Sequence, residues 1–165
     1  EKNIYALKNK LEFKKFLIFK SLVDKIDKKF NSILYFHVLE HIKDDLEEIE
    51  KAKSKLNSGG HLVFIVPASK RIYGNLDKAV GHFRRYEKEF FKKDLLDLEL
   101  LNLKHLDSIG YVLYYLNKIF FSKETFPSNF KIFLWDKFFT PLTVIVDFII
   151  NYSFGKCIIA VYKKK

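Results

Sequence analysis

Two short apolar runs on either side of one amphipathic segment constrain the fold of this chain most strongly. Ser32–Val38 reads SILYFHV and His61–Pro67 reads HLVFIVP, and runs of this kind are typical of strands buried in a parallel sheet. Lys43–Leu56 lies between them with apolar residues at helical spacing, and Gly59–Gly60 supplies a tight turn that needs positive φ. The segment therefore predicts a right-handed β–α–β unit, with ligands bound at the carboxyl ends of its strands.

Beyond this unit the sequence predicts two helices and three more strands. The helices are Glu87–Leu98 and Phe130–Ile150, the second with a kink at Pro141. The predicted strands are Phe16–Val23, one within Leu101–Tyr115, and Lys156–Tyr162. We interpret residues 1–165 as a single domain. Within this domain, residues 1–30 are the remnant of the upstream part of the fold. Residues 31–98 contain the β–α–β unit and the loop and helix that follow it. Residues 99–165 contain the carboxyl-terminal strands and a helical insertion.

Composition narrows the class of protein. The net charge is +10, but the lysines are spread along the chain without interleaved stacking aromatics, so we predict a solvated basic surface and no nucleic-acid partner. The single cysteine, Cys157, lies in an apolar run and indicates a reducing, cytoplasmic location.

Charged residues and Pro141 interrupt the apolar stretch Trp135–Phe154, which argues against a membrane-spanning helix. The initial Glu and the lack of Met lead us to expect a truncated domain.

A first cluster of polar residues follows the first strand of the unit. The segment HVLEHI contains His37, Glu40 and His41, whose H-x-x-E-H spacing matches the two His ligands and the Glu base of inverted zincins. His37 ends a strand, however, which breaks the shared helical face, and no third ligand stands out. A metal-dependent hydrolase is therefore the least favoured alternative.

A second cluster, GHFRRY, follows the second strand. His82 can transfer protons near neutral pH, and Arg84 and Arg85 can hold a carboxylate or a phosphate. The alternative is a solvated loop whose arginines pair with nearby acids such as Asp77. Composition alone favours neither interpretation.

Taken in order, these segments resemble one family. LYFHVLEHIKDD, a helix, LNSGGHLVFIVPA and YGNLDKAVGHFRRY are similar to class I S-adenosylmethionine-dependent methyltransferases, most of all to a bacterial small-molecule subgroup. The resemblance covers residues 30–165 and implies the carboxyl-terminal portion of a Rossmann-like methyltransferase. Its α/β sheet would be mostly parallel, with an antiparallel last strand and helices on both faces. Ser32–Val38, His61–Val66 and Lys156–Tyr162 would be its fourth, fifth and seventh strands.

The resemblance also implies functional residues, with S-adenosylmethionine as the cofactor and a small molecule as the methyl acceptor. The residues expected at the cofactor are Phe36, His37, Val38, Leu39 and His41. Those expected at the acceptor are His82, Arg85 and Tyr86. The catalytic candidates are His37, His82 and Tyr86. An in-line displacement at a sulfonium needs orientation and sometimes a base, and His82 or His37 would be that base.

The chain departs from the family in lacking the glycine-rich loop and the acidic residue that hold the cofactor. We therefore expect residues 1–165 to bind the cofactor weakly and to have little activity alone. Without the family's first strand, the strand at Ile33 would be an exposed sheet edge. We expect self-association there, or cover by residues 11–23.

Two further interpretations remain. The basic, Phe-rich composition suits a non-catalytic binding module at a membrane surface, with a peripheral contact near Trp135. His37, Glu40, His41 and His82 also resemble the E-x-x-E-H segment and later His that bind a divalent ion in small-RNA 3′-end methyltransferases. The rest of the chain does not resemble that group, so no metal is predicted.

Overall fold

A computed structural model describes residues 26–93, 98–120 and 128–165. The strands in these ranges are β1 (Phe30–Phe36), β2 (Leu56–Pro67), β3 (Leu98–Leu106) and β4 (Cys157–Lys164). They form one sheet in the order β1-β2-β4-β3. β1 and β2 are parallel, and β4 is antiparallel to both β2 and β3, so β3 runs in the same direction as β1 and β2. This confirms the predicted α/β class, a mostly parallel sheet with an antiparallel last strand.

Helices and helical turns connect the strands. The α-helices in the described ranges are α1 (Asp45–Ser54), α2 (Asn75–Ala79), α3 (Lys88–Phe91), α4 (Ser108–Phe120), α5 (Asn129–Leu134) and α6 (Thr140–Ile149). Two 3-10 turns, Leu39–His41 and Lys70–Ile72, follow β1 and β2 directly. A π-helical turn, Trp135–Phe139, joins α5 to α6.

One face of the sheet carries the core. The buried side chains that meet there include Leu62, Phe64, Ala160 and Tyr162 from the strands, and Ile49 and Phe91 from α1 and α3. The Phe64 ring lies 5.8 Å from that of Phe91 and 6.1 Å from that of Tyr162, centroid to centroid. Full burial of one such side chain stabilises the fold by about 1.5–3 kcal/mol. On the opposite face, Leu34 and Phe36 of β1 remain 60% and 59% exposed.

Helix α1 forms where the apolar spacing predicted a helix. Ile49 faces the sheet and is buried, and the carboxylate of Asp45 lies in the first turn, where the helix dipole favours a negative charge. The helix ends at Ser54 and not at Leu56 as predicted. The reason is that Leu56 already pairs with Phe30 in the sheet.

The predicted Gly-Gly turn is a bulge inside β2. The register of the β1–β2 pairing shifts between Phe30 and Ser32, and the residues opposite this shift include Gly59 and Gly60. Gly59 has a φ of 75°, as predicted for this position. The glycines therefore shape the start of β2 and do not precede the strand.

The segment around β3 differs from the prediction. Helix α3 covers only Lys88–Phe91, and Leu98, predicted as the end of that helix, is the first residue of β3. Within the predicted strand segment 101–115, the strand ends at Leu106 and a helix, α4, takes over at Ser108.

A distant carboxylate explains why α4 begins where it does. Asp107 has a φ of 64°, and its backbone N–H donates to Asp147 Oδ2 at 2.7 Å. The N–H of Ser108 donates to Asp147 Oδ1 at 2.9 Å. These N–H groups have no partner within a helix, so a cap must satisfy them. Since the cap comes from α6, local sequence around residue 107 does not reveal it.

The carboxyl-terminal prediction is confirmed in its main features. The segment 130–150 is helical. The irregular turn Trp135–Phe139 ends two residues before Pro141, which has no N–H to donate to that turn. The last strand begins at Cys157, one residue later than predicted. Among the helices that the structure describes, none is long and apolar enough to cross a membrane.

Some predictions fall outside the described ranges. The predicted strand Phe16–Val23 and the proposed edge cover 11–23 are among them, as is most of the unit 1–30. In the described sheet, β1 is an edge strand.

Replacement of Gly60 by Ala tests the bulge. A Cβ on Gly60 would lie 2.9 Å from the carbonyl oxygen of Asn57 and 3.1 Å from that of Asn31. Because both are backbone atoms, we expect Gly60→Ala to lower the free energy of unfolding by about 1–3 kcal/mol in urea denaturation. Gly74→Ala is the matched control, since the nearest atom to its Cβ is 3.8 Å away. Equal stability of the two variants would contradict this account of the bulge.

Candidate active site

The two loops that follow β1 and β2 meet at the carboxyl end of the sheet. His37 has a φ of 50° and its N–H donates to the carbonyl of Ile65 at 2.8 Å, so the chain leaves β1 in a sharp turn. The N–H of Phe83 donates to the carbonyl of Glu40 at 2.8 Å and ties the second loop to the first. The prediction that polar groups after the two strands gather at one edge is therefore confirmed by the geometry.

Glu40 lies at the centre of this edge. Its side chain is fully buried, and Oε1 is 3.1 Å from Nδ1 of His37 and 3.8 Å from Nε2 of His82. The second oxygen, Oε2, is buried without a hydrogen-bond partner in the part of the chain that the structure describes. A buried carboxylate oxygen without a donor is costly, which makes Glu40 a candidate functional residue.

His37 is held as a cation. The Cys157 sulfur, 3.9 Å from Nε2, and the Glu40 carboxylate at Nδ1 raise the pKa of His37 to about 9, against the effect of partial burial. At neutral pH its ring therefore carries a proton and forms an ion pair with Glu40. Of the two bases that the sequence suggested, this favours His82 over His37.

A buried carboxylate, Asp77, orients His82. Asp77 Oδ1 lies 2.8 Å from His82 Nδ1 and accepts from Arg85 Nε at the same distance. Asp77 Oδ2 accepts from the N–H of Gly74 at 2.9 Å and from the hydroxyl of Tyr114 at 3.2 Å. Burial alone would raise the pKa of the Asp77 carboxyl, but the hydrogen bonds from Arg85 and His82 outweigh it and hold the pKa below its ordinary value.

Two predicted acceptor residues are engaged within the protein. The guanidinium of Arg85 is buried, pairs with Asp77, donates to the carbonyl of Ala68 at 3.1 Å and lies 4.8 Å from the centroid of the Tyr114 ring. The hydroxyl of Tyr86 donates to Asp45 Oδ2 at 2.9 Å. Both side chains therefore hold the loop in place in this structure, and direct contact with an acceptor stays a prediction.

Arg84 completes the anchor of the second loop. Its guanidinium donates to Asp45 Oδ2 at 2.7 Å and to the carbonyl of Lys43 at 2.6 Å. Asp45 therefore joins α1 to the loop through both Arg84 and Tyr86. Burial, together with the charge of Asp45, raises the pKa of the Tyr86 hydroxyl, so this group remains protonated at neutral pH.

The predicted cofactor residues divide into exposed and buried sets. Phe36 and Val38 are exposed at the end of β1, whereas Leu39 is fully buried in the core. His41 is exposed, and its ring lies 4.7 Å from that of His82, centroid to centroid, at an interplanar angle of 73°. One ligand atom each from Glu40, His41 and His82 lie within 4.8 Å of one another, so this group has the composition of a metal site.

Sequence reasoning missed two members of the site. The sequence predicts Asp77 as a partner for the arginines, and its pair with Arg85 confirms that pairing, but the pair is buried and not solvated. Its contact with His82 was missed, although the segment G-N-L-D carries the signal of a helix start, where Asp77 accepts a hydrogen bond from the N–H of Gly74. Tyr114 comes from α4, which the sequence did not predict. No local pattern places it against Asp77.

Comparison with known proteins identifies the family. A sequence model described as "Methyltransferase domain" matches residues 5–109, more than half of the chain. The chain therefore belongs to this methyltransferase family, and the class I S-adenosylmethionine-dependent type is the one that its motifs resemble. S-adenosylmethionine is the cofactor of this class. No curated protein matches the chain.

Two of the solved structures that align with the chain are compared by their TM-score, identity and coverage. The MccD protein aligns with a TM-score of 0.40 and 14% identity, over 88% of this chain and 66% of that one. Coclaurine N-methyltransferase, bound to N-methylheliamine and SAH, aligns with a TM-score of 0.44 and 13% identity, over 84% of this chain and 49% of that one. The chain thus spans 66% of the length of the first protein and 49% of the length of the second.

Replacement of Asp77 by Asn tests the buried anchor. The variant keeps the shape but leaves the charge of Arg85 buried without its partner. We expect the free energy of unfolding to fall by about 3–5 kcal/mol in urea denaturation. Asp44→Asn, at an exposed position, should change it by less than about 0.5 kcal/mol. Similar unfolding midpoints for the two variants would show that Asp77 and Arg85 do not form the pair described.

Proposed function

We propose that this protein transfers a methyl group from S-adenosylmethionine to a small-molecule acceptor at the carboxyl edge of β1 and β2. The observation that carries the proposal is the meeting of the two loops there, with His37, Glu40 and His41 on one and His82 on the other. Ligands of open α/β sheets bind outside the carboxyl ends of the strands. The family match supports the type of reaction.

His82 is the base in this proposal. Since Nδ1 faces the ionised carboxylate of Asp77, the neutral ring carries its proton on Nδ1 and its lone pair on Nε2. A ring fixed in this way can remove a proton from an acceptor hydroxyl, amine or acidic carbon as the methyl group arrives. The 14% exposure of its side chain leaves room for contact at the site.

Phe36, His37 and Val38 form the cofactor side in this proposal. Phe36 and Val38 present exposed apolar surface at the end of β1, and the Phe36 ring lies edge-on to His37 with centroids 5.0 Å apart. The imidazolium of His37 suits the carboxylate of the methionine part of the cofactor. Leu39 supports this wall from the core, and His41 flanks it at the surface.

A methyl-transfer assay tests the proposal. The protein is incubated with S-adenosylmethionine, raised in concentration until the rate saturates, and with a panel of small hydroxyl, amine and carbon-acid compounds. We expect S-adenosylhomocysteine to form with at least one of them, at the low rate that follows from a chain without the family's glycine-rich loop. His82→Gln should lower that rate by roughly 10²–10⁴-fold because the base is lost.

His61→Gln is the matched control for this assay. His61 lies in the middle of β2, six residues before the carboxyl end where the candidate site is, and we expect its replacement to leave kcat unchanged. Circular dichroism confirms that each variant is folded. Turnover by His82→Gln at the rate of the unaltered protein would refute the role of His82, and methylation of no small molecule would refute the reaction.

A second candidate function is attachment to a membrane surface through α5, the π turn and α6. This segment exposes a series of large apolar side chains, namely Phe130, Phe138, Val144, Phe148 and Ile149. Phe148 and Ile149 are 74% and 73% exposed, which is unusual for such residues in water. An amphipathic surface of this kind, on a chain of charge +10, suits an anionic bilayer.

Vesicle sedimentation tests the membrane contact. We expect the protein to sediment with anionic vesicles, less so as salt is added, and not with neutral ones. Phe148→Glu should lower the partition constant for the vesicles at least tenfold, since insertion of one such side chain contributes about 1.5–3 kcal/mol. Leu46→Glu, at an exposed apolar position on α1, is the control and should bind as before. Indifference to vesicles would remove this function.

Self-association through β1 belongs to the same set of proposals. β1 is the edge of the described sheet, and its side chains Leu34 and Phe36 are exposed. Unpaired edge strands with apolar side chains pair readily with another strand. A cytoplasmic location is consistent with the single cysteine and stays a prediction.

A further inference from the structure

We propose that Glu40, His41 and His82 bind a divalent transition-metal ion such as Zn²⁺. One carboxylate oxygen of Glu40 and one ring nitrogen from each histidine lie within 4.8 Å of one another. The donors come from two loops that a backbone hydrogen bond from Phe83 to Glu40 holds together. Two His and one Glu are the protein ligands of a common type of catalytic zinc site.

The histidines have the free nitrogens that a metal needs. His82 Nδ1 faces the Asp77 carboxylate at 2.8 Å, and His41 Nδ1 lies 3.2 Å from the carbonyl oxygen of Gly81. Both partners can only accept, so each neutral ring carries its proton on Nδ1 and its lone pair on Nε2. Metal-binding histidines usually donate the N–H of the ring nitrogen that does not bind the metal to a carboxylate or a carbonyl oxygen. This hydrogen bond fixes the tautomer and raises the basicity of the nitrogen that binds the metal.

Glu40 supplies the independent observation. Its carboxylate is fully buried, Oε1 is engaged by His37, and Oε2 has no hydrogen-bond donor among the described residues. Buried carboxylate oxygens nearly always have a partner, and a cation is the partner that satisfies such an oxygen best. Because His37 contacts Oε1 of Glu40, Oε2 is the carboxylate oxygen that is available to an ion.

The distances require only a small closure. Ligand atoms bound to Zn²⁺ at about 2.0–2.1 Å in a tetrahedron lie roughly 3.3 Å apart. His82 Nε2 is already 3.8 Å from Oε1 of Glu40, the oxygen that His37 engages, so a turn of the carboxylate is needed to present Oε2. One ligand atom from each of the three residues lies within 4.8 Å of the others. The exposed ring of His41 can move inward by rotation of its side chain, whereas Glu40 and His82 are held by their buried partners.

The mixed nitrogen and oxygen ligand set favours a borderline ion over Mg²⁺ or Ca²⁺, which prefer oxygen donors. Three protein ligands leave one position open, and a hydroxyl bound there has its pKa lowered by the ion. In the metal-bound protein His82 Nε2 is a ligand and no longer a base. The site rests on these side chains and not on the proposed reaction, so metal binding and methyl transfer can succeed or fail separately.

Titration of the metal-free chain tests the site. Residues 1–165 are treated with a chelator, dialysed, and titrated with Zn²⁺ in a calorimeter and with Co²⁺ by visible absorption. We expect one ion per chain, and with Co²⁺ a d–d spectrum of low coordination number. His41→Gln and His82→Gln should each weaken binding by at least about tenfold, and His61→Gln, outside the cluster, should bind as the unaltered chain does.

The choice of variants keeps the result interpretable. Glu40→Gln removes the buried charge and can affect folding, but His41 is exposed, so His41→Gln reports on the ligand alone. Loss of binding in His41→Gln with unchanged circular dichroism supports the site. No binding by the unaltered chain, or equal binding by His41→Gln, His82→Gln and His61→Gln, would overturn it and assign any bound ion to surface histidines.

Discussion

The buried ion pair between Asp77 and Arg85 is the interaction on which the candidate site depends. Asp77 fixes the His82 ring at Nδ1, and Arg85 reaches from the same loop to the carbonyl of Ala68 just past β2. The hydroxyl of Tyr114 in α4 also donates to Asp77. One carboxylate therefore joins the end of a strand, a loop and a distant helix, and a neutral side chain there would leave a guanidinium buried without a counter-charge.

Other buried acids hold connections in the same way. The carboxylate of Asp45 accepts hydrogen bonds from Arg84 and Tyr86 and so holds the second loop against α1. The carboxylate of Asp147 in α6 caps the amino end of α4. The chain has 20 acidic residues against 30 lysines and arginines, so acids are the scarcer charge. A carboxylate accepts several hydrogen bonds at once, which suits it to irregular backbone whose N–H groups have no ladder partner. The sheet is built by apolar packing, and these acids determine how its connections lie.

The division between apolar sheet and polar connections explains what the sequence could predict. β1, β2, β4 and α1 follow from local apolar runs and helical spacing, because each buries its apolar side chains against the same core. Parallel strands bring the loops after them to one edge, so the meeting of Glu40 and His82 also followed from topology. The start of α4 could not be predicted in this way, since its cap is Asp147 of α6. The inward orientation of the loop residue Tyr86 could not either, since its acceptor is Asp45 in α1.

The two proposals assign His82 roles that exclude each other. With Nδ1 on Asp77, only Nε2 is available, and one lone pair cannot both bind an ion and accept a proton. The unpaired oxygen of Glu40 favours the ion, because a base at His82 would leave that buried oxygen without a partner. The ion pair of Glu40 with His37 fits either role, since it neutralises the carboxylate through the other oxygen. On the two proposals together, activation of an acceptor at this edge would fall to His82 in the metal-free protein and to the ion in a metal-bound one.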